Sequence, residues 1–172
     1  MTLVTVSIGS NIDRERHVLA CLDAIAETFG EPRVSRVFES EPVGFEDGRN
    51  FYNLVAAFHA TRPVGELQAW CKEIEAANGR LPGSPKFSPR TLDIDLLTVG
   101  DQCGHIDGVE LPRDEILHHA FVLWPLAELL PDTPHPENGR TYAELWAHFT
   151  AGDQHLWPVT FDWHGRPVSR PD

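Results

Sequence analysis

The chain has 172 residues, the size of one ordinary domain, and its 41% hydrophobic and 23% charged content excludes collagen-like and disordered classes. Twenty-six acidic residues against 14 basic ones leave a net charge of −12, the reverse of the balance that a general nucleic-acid binder carries. No stretch is apolar for long enough to span a bilayer, and Met1-Thr2-Leu3-Val4-Thr5 lacks the basic segment of a secretory signal. The expected setting is the cytoplasm. Cys21, Cys71 and Cys103 are widely spaced with no C-x-x-C pattern, so free thiols are expected.

Along the chain, residues 2–8 alternate and stop at Gly9-Ser10-Asn11, which predicts a strand closed by a tight turn. A helix follows on the stripe Val18, Leu19, Leu22, Ile25, Ala26 and Phe29, with Ser10 or Asn11 as its cap and Gly30-Glu31-Pro32 as its stop. Residues 34–40 are a second strand and Phe51 to Phe58 a third, separated by an irregular loop through Glu41-Pro42-Val43-Gly44 and Asp47-Gly48. Pro63 suits a first helical position ahead of the stripe Val64, Leu67, Trp70, Cys71, Ile74 and Ala77, which Gly79 ends. From Arg80 to Arg90 the chain carries Pro82, Gly83, Ser84, Pro85, Ser88 and Pro89, which predicts a loop. Thr91 to Val99 is the fourth strand.

The order β-α-β-β-α-β predicts a ferredoxin-like α+β core, an antiparallel sheet with helices packed on one face. A short hairpin over 101–111 and helices within Leu117–Leu130 and Thr141–Phe149 follow. The tail from Leu156 holds Trp157, Phe161 and Trp163, which call for packing, and then polar residues with two prolines that are expected to fray. The whole chain, 1–172, reads as one domain in which 132–172 is an extension packed on the core.

The most informative string is Pro89-Arg90-Thr91-Leu92-Asp93-Ile94-Asp95-Leu96-Leu97. Strand side chains alternate, so Asp93 and Asp95 share one face while Leu92, Ile94 and Leu96 take the other. Two neighbouring carboxylates repel each other unless a cation lies beside them, and an all-oxygen set suits Mg²⁺ with substrate phosphates completing its shell. A solvated polar face is the plain alternative. Arg80, Lys86 and Arg90, in the loop just before this pair, give a locally basic stretch in an acidic chain, as polyphosphate chemistry requires. No G-x-x-x-x-G-K-[ST] occurs, so a nucleotide would not be held by a P-loop. The histidines lack zinc-like spacing.

Several separated strings in order resemble the 6-hydroxymethyl-7,8-dihydropterin pyrophosphokinase family over about residues 3–131. They are Ile8-Gly9-Ser10-Asn11, Glu39-Ser40-Glu41-Pro42-Val43-Gly44, Phe51-Tyr52-Asn53, Ile74-Glu75 with Gly79-Arg80, the string ending in Asp93-Ile94-Asp95, and Phe121-Val122-Leu123-Trp124-Pro125-Leu126. The resemblance implies a folate-pathway enzyme that moves pyrophosphate from its co-substrate ATP to a pterin alcohol and releases AMP. It implies that Asp93 and Asp95 hold two Mg²⁺ ions. Arg80, Lys86 and Arg90 would then act on the phosphates as catalytic cations. Glu75, Leu96, Arg113 and His119 would complete the ATP site. The pterin would stack between Phe51 and Phe121, hydrogen-bond Asn53 and backbone groups of Glu41, Pro42 and Val43, and pass Gly9, which leaves room for the ring. The resemblance implies small-molecule partners; the charge balance and the lack of a long apolar stretch argue for no nucleic acid and no membrane, and a monomer is expected over an oligomer.

Four positions depart from the family pattern. The family carries Pro-His where this chain has Pro112-Arg113, and an arginine at His119; a basic loop position is Pro82 and a tryptophan is Phe87. A permanent charge therefore sits at Arg113 and an ordinarily neutral ring at His119. Two rival readings follow: a same-fold pterin or nucleotide binder with weak activity or another pterin acceptor, and an RNA-recognition module, whose aromatic strings are missing here.

Overall fold

A computed structural model describes residues 1–42, 49–79 and 91–172. The core runs β1 (Thr2–Ser10), α1 (Arg14–Phe29), β2 (Arg33–Val34), β3 (Val37–Ser40), β4 (Phe51–Ala60), α2 (Val64–Ala77) and β5 (Asp93–Val99). It is followed by β6 (Gly104–Ile106), β7 (Val109–Leu111), a 3₁₀ turn over Asp114–Leu117, α3 (Ala120–Leu129) and α4 (Tyr142–Ala147), then β8 (Leu156–Val159), β9 (Phe161–Trp163) and β10 (Arg166–Ser169). The main sheet is antiparallel in the order β5-β1-β4-β3-β8, with β2 also on β4. This is the ferredoxin-like α+β arrangement that the order of elements predicts.

Alternation divides the sheet between two cores. Val4, Val6, Ile8, Leu54, Ala56, Phe58, Ile94 and Leu96 pack with α1 and α2 on one side. Val55, Ala57 and Leu97 pack with α3 and α4 on the other. The later helices thus cover the second face, making three layers where the β-α-β-β-α-β unit alone would leave that face bare. A bulge between Thr5 and Val6 shifts the pairing with β5 by one residue. Thr5 and Thr98 thereby meet, with their hydroxyl oxygens 2.6 Å apart.

Four local expectations are corrected. Residues 34–40 form two short strands, broken at Ser35 and Arg36. Ser35 gives its N–H to the Val55 carbonyl and takes the Val55 N–H on its hydroxyl, both at 2.9 Å, while Arg36 turns out to Glu128 at 2.7 Å. Neither Ser10 nor Asn11 caps α1. Ser10 donates its hydroxyl to the carbonyls of Thr91 (2.5 Å) and Ile12 (3.1 Å), and Asn11 donates to the Arg49 carbonyl. Asp13, in the left-handed region at φ 46°, occupies the cap position without a side-chain cap bond. Pro63 is the N-cap of α2, one residue ahead of the helix. The polar end of the tail is held: Pro167 lies in β10, Arg170 pairs with Asp162, and Arg36 donates to the carbonyls of Arg170 and Asp172.

Strand β8 covers the outer edge of β3, pairing Phe38 with Pro158 and Ser40 with Leu156, and so removes an open edge beside the loop that follows Ser40. Phe161 and Trp163 are each 4% exposed and belong to the α1/α2 core. Truncating Phe161 to alanine removes most of a buried aromatic ring and should lower the unfolding free energy by about 3 kcal/mol. Urea denaturation followed by circular dichroism measures this; a loss under about 1 kcal/mol would show that the tail packs only superficially.

Candidate active site

Register brings the predicted residues together at one end of the sheet, on the face that α3 only partly covers. Across the strands Asp93 pairs with Gly9 and Gly9 with Asn53, while Asp95 pairs with Ser7 and Ser7 with Val55. The acidic pair therefore stands on a floor of small side chains. A Cβ added at Gly9 would lie 3.4 Å from Asn53 Oδ1 and 3.8 Å from Phe51 Cδ1, so this glycine keeps open the space between the carboxamide and the ring.

Asn53 is buried and its carboxamide is oriented, since Nδ2 donates to Ser40 Oγ at 2.6 Å. Phe51 begins β4, and its ring is half-buried. Phe121 is half-buried in the first turn of α3, with the His119 ring 4.8 Å away. Glu41 is exposed and Pro42 half-buried just beyond β3. Val43 lies outside the described residues, as do Arg80, Lys86, Arg90, Pro82 and Phe87.

Glu75 and Leu96 belong to the other face. Glu75 is 3% exposed, and its Oε2 accepts the Ile94 N–H at 2.8 Å while Lys72 approaches Oε1 at 3.2 Å. Its carboxylate thus satisfies the outer edge of β5 between the two aspartates. The Leu96 side chain is 1% exposed in the core, so only its backbone, which shares the orientation of Ile94, can meet a ligand.

Strand β5 ends in the hairpin of β6 and β7, and the chain returns through a cis Leu111–Pro112 bond to Arg113. Its N–H donates to the Leu97 carbonyl at 2.9 Å. That anchor puts Arg113 Nη2 3.6 Å from Asp95 Oδ1 and 3.1 Å from Glu115 Oε1. Burial and the neighbouring Asp93 carboxylate push Asp95 well above the usual carboxylate value, against the pull of Arg113, and the two aspartates are close enough to share a hydrogen bond. A divalent cation would relieve that repulsion. Among the described residues no group of three or more His, Cys, Asp or Glu side chains could hold a metal; a two-carboxylate site fits an ion that takes its other ligands from water and phosphate.

Two contributors were invisible from residue type alone. Ser40 orients Asn53. Gln154, in the tail, takes the Ala120 N–H at 2.7 Å and donates to the His118 carbonyl at 3.0 Å, capping α3 where it presents Phe121. A lone glutamine in a connecting segment carries no periodic or spacing signal. The cysteines play no part here: Cys21 and Cys71 are buried, their thiols raised above the usual value by burial first, and Cys103 is exposed.

The three-layered ferredoxin-like fold, with a partly buried acidic pair at one sheet end beside an oriented amide and the Phe51 ring, is an arrangement suited to phosphoryl transfer on a small molecule. Residues 5–131 match the 7,8-dihydro-6-hydroxymethylpterin-pyrophosphokinase (HPPK) family, and the chain belongs to it. It is 37% identical over 148 residues to the 2-amino-4-hydroxy-6-hydroxymethyldihydropteridine pyrophosphokinase of Pseudomonas aeruginosa, covering 84% of this chain and 90% of that protein. Its identity to the protein of the same name from Aquifex aeolicus is 31% over 137 residues, covering 79% and 85% respectively. Among solved structures, wild-type HPPK-DHPS of Plasmodium falciparum with pteroate superposes with a TM-score of 0.70 over 98% of this chain at 12% identity. The chain spans about half of that protein, 49% of its length.

The raised Asp95 fixes the sign of a pH effect. An aspartate that holds its proton more tightly in the folded state than at its ordinary 3.8 lowers stability progressively as pH rises above that value, because the unfolded chain releases the proton first. In metal-free buffer with a chelator, Asp95→Asn should therefore melt at a higher temperature than the parent chain at pH 8, and the gap should narrow toward pH 4. Parallel melting curves at both pH values would refute this cause.

Proposed function

We propose that this protein transfers pyrophosphate from ATP to the hydroxymethyl oxygen of 6-hydroxymethyl-7,8-dihydropterin, releasing AMP, in folate biosynthesis. The observation that carries the reading is the placement of Asp93 and Asp95 on one partly exposed strand face beside Gly9, Asn53 and Phe51, in a member of the pyrophosphokinase family. Asp93 and Asp95 would hold Mg²⁺, two ions in all; bound there, the metal would neutralise phosphate charge and acidify the acceptor hydroxyl.

The chain's own residues supply position and charge. Phe51 and Phe121 sandwich the flat bicyclic ring, and Asn53, fixed by Ser40, reads its polar edge with backbone groups from Glu41 to Val43. This holds the hydroxymethyl oxygen in line with the β-phosphorus, so that alignment replaces a bimolecular encounter. Arg80, Lys86 and Arg90 approach the phosphoryl oxygens as cations. Glu75 keeps β5 in register from behind. Arg113 and His119 meet the nucleotide from the α3 side, in place of the family's histidine and arginine. No side chain is assigned as general base.

The chain is read as acting as a monomer, with 132–172 as an extension of a single domain. Among the described residues no helix is long and apolar enough to cross a membrane, and the substrates are soluble metabolites, in keeping with a cytoplasmic enzyme.

Incubation with ATP, Mg²⁺ and the hydroxymethyl pterin should release AMP in step with pterin diphosphate. Asp95→Ala should lower turnover by about 10³-fold with the fold retained, since the lost group acts on phosphate charge. AMP release at the same rate in this variant would overturn the assignment. If neither form releases AMP although pterin binds, the same-fold binder is the better reading. A second check concerns Gly9. Gly9→Leu fills the space between Asn53 and Phe51, and should raise KM for the pterin at least about tenfold while KM for ATP changes little. Equal rises in both constants would place Gly9 outside the pterin site.

A further inference from the structure

Arg113 stands where a metal ion's charge would otherwise be needed. Its Nη2 is 3.6 Å from Asp95 Oδ1, its backbone is tied to Leu97 at the base of the site, and Nη2 is also shared with Glu115 at 3.1 Å. Its Nε is buried and has no hydrogen-bond partner among the described residues. One third of the side chain, 34%, is exposed.

We propose that Arg113 is a resident counter-charge for the acidic pair: it flanks Asp95 and opposes loading of a free divalent cation in the nucleotide-free protein, and passes to the phosphate oxygens when cation and nucleotide enter together. This rests on the reading of Asp93 and Asp95 as metal carboxylates. Three physical facts support it. A divalent ion on Asp95 would sit within a few ångströms of a fixed positive charge, and that repulsion persists until the guanidinium moves. The move exchanges the contacts of one atom, Nη2, with Asp95 and Glu115 for phosphate oxygens, so the guanidinium charge stays paired with anionic oxygen. Among the described residues the buried Nε–H has no acceptor, and an unmet buried donor is costly; a phosphate oxygen is the acceptor that matches a guanidinium edge. Cation binding and nucleotide binding therefore become positively coupled, each raising the affinity of the other by the same factor. A mostly neutral histidine, the family's usual residue here, would not impose this coupling.

The test uses Mn²⁺ as the probe and the full chain, with free Mn²⁺ followed by electron paramagnetic resonance. Titrations are made without nucleotide and again with a non-hydrolysable ATP analogue. Arg113→Ala and Arg113→Gln, two neutral replacements of different length, should both bind Mn²⁺ about tenfold more tightly than the parent chain without nucleotide, and bind the analogue with Mn²⁺ about tenfold more weakly. Arg113→Lys, which keeps the charge, should leave the nucleotide-free Mn²⁺ affinity near the parent value. Circular dichroism confirms that each variant is folded. Unchanged Mn²⁺ affinity in both neutral variants would overturn the proposal while leaving the metal reading intact, provided Asp95→Asn still loses Mn²⁺ in the presence of the analogue. If Asp95→Asn binds Mn²⁺ and analogue as the parent does, the acidic-pair reading fails and the role of Arg113 fails with it.

Discussion

The site depends on a single strand whose two faces are required to do different things. Ile94 and Leu96 are sealed between β5 and the α1/α2 layer, and a strand turns successive side chains to opposite sides. Their burial leaves Asp93 and Asp95 no freedom: both must point to the other face. A one-residue slip would place two carboxylates in the apolar core and two aliphatic chains over the cleft, an exchange costly on both sides. The pairing of Asp93 with Gly9 and Asp95 with Ser7 carries that constraint into β1, and the pairing of Gly9 with Asn53 carries it into β4. Core packing and site geometry are thus two consequences of the same register.

The electrostatics of the site follow from this placement. Desolvation at a partly buried strand end, reinforced by repulsion from Asp93, is why Asp95 holds its proton strongly. Arg113 offsets part of the charge, while Glu115 both shares the guanidinium and adds a further negative group. Such an arrangement is poor for stability and suited to a cation of higher charge. In a chain with a net charge of −12, Arg113 is a local positive charge set directly beside this pair.

Much of this was legible in the residue order. The apolar stripes of α1 and α2, the alternation of β1 and the Asp93-Ile94-Asp95 string each carry a period, and period maps directly onto burial. Ser10 shows where this kind of reading fails. By type it is a good helix cap, but its hydroxyl is spent on Thr91 and Ile12, joining the end of β1 to the start of β5; competition for a hydrogen bond by a residue 81 positions away leaves no local trace. Glu75 is similar. The match to a family pattern marks it as a site residue, and only the fold shows that its carboxylate caps the Ile94 N–H from behind the sheet. The break at Ser35 and Arg36 likewise answers to Glu128 and the chain's end, partners that a seven-residue window cannot contain.

The tail joins the two sides of the cleft. It lies beyond the matched residues 5–131 and carries no recognisable motif, yet its strand β8 is paired to β3 through Ser40, the residue that orients Asn53. Two residues before β8, Gln154 caps the helix that presents Phe121. The amide on the strand side and the ring on the helix side are therefore braced by one short stretch of chain. Beyond it, β9 and β10 are fastened to α1, where Asp23 accepts from both Trp163 Nε1 and His164 Nε2 at 2.8 and 2.6 Å. A pterin held as proposed between that strand and that helix would need the two elements at a constant separation, since an ångström of drift loses either the stack or the hydrogen bond. Segment 154–159 spans that separation directly, so on the proposed reading of the site the extension braces it from outside, with its side chains taking no part in the chemistry.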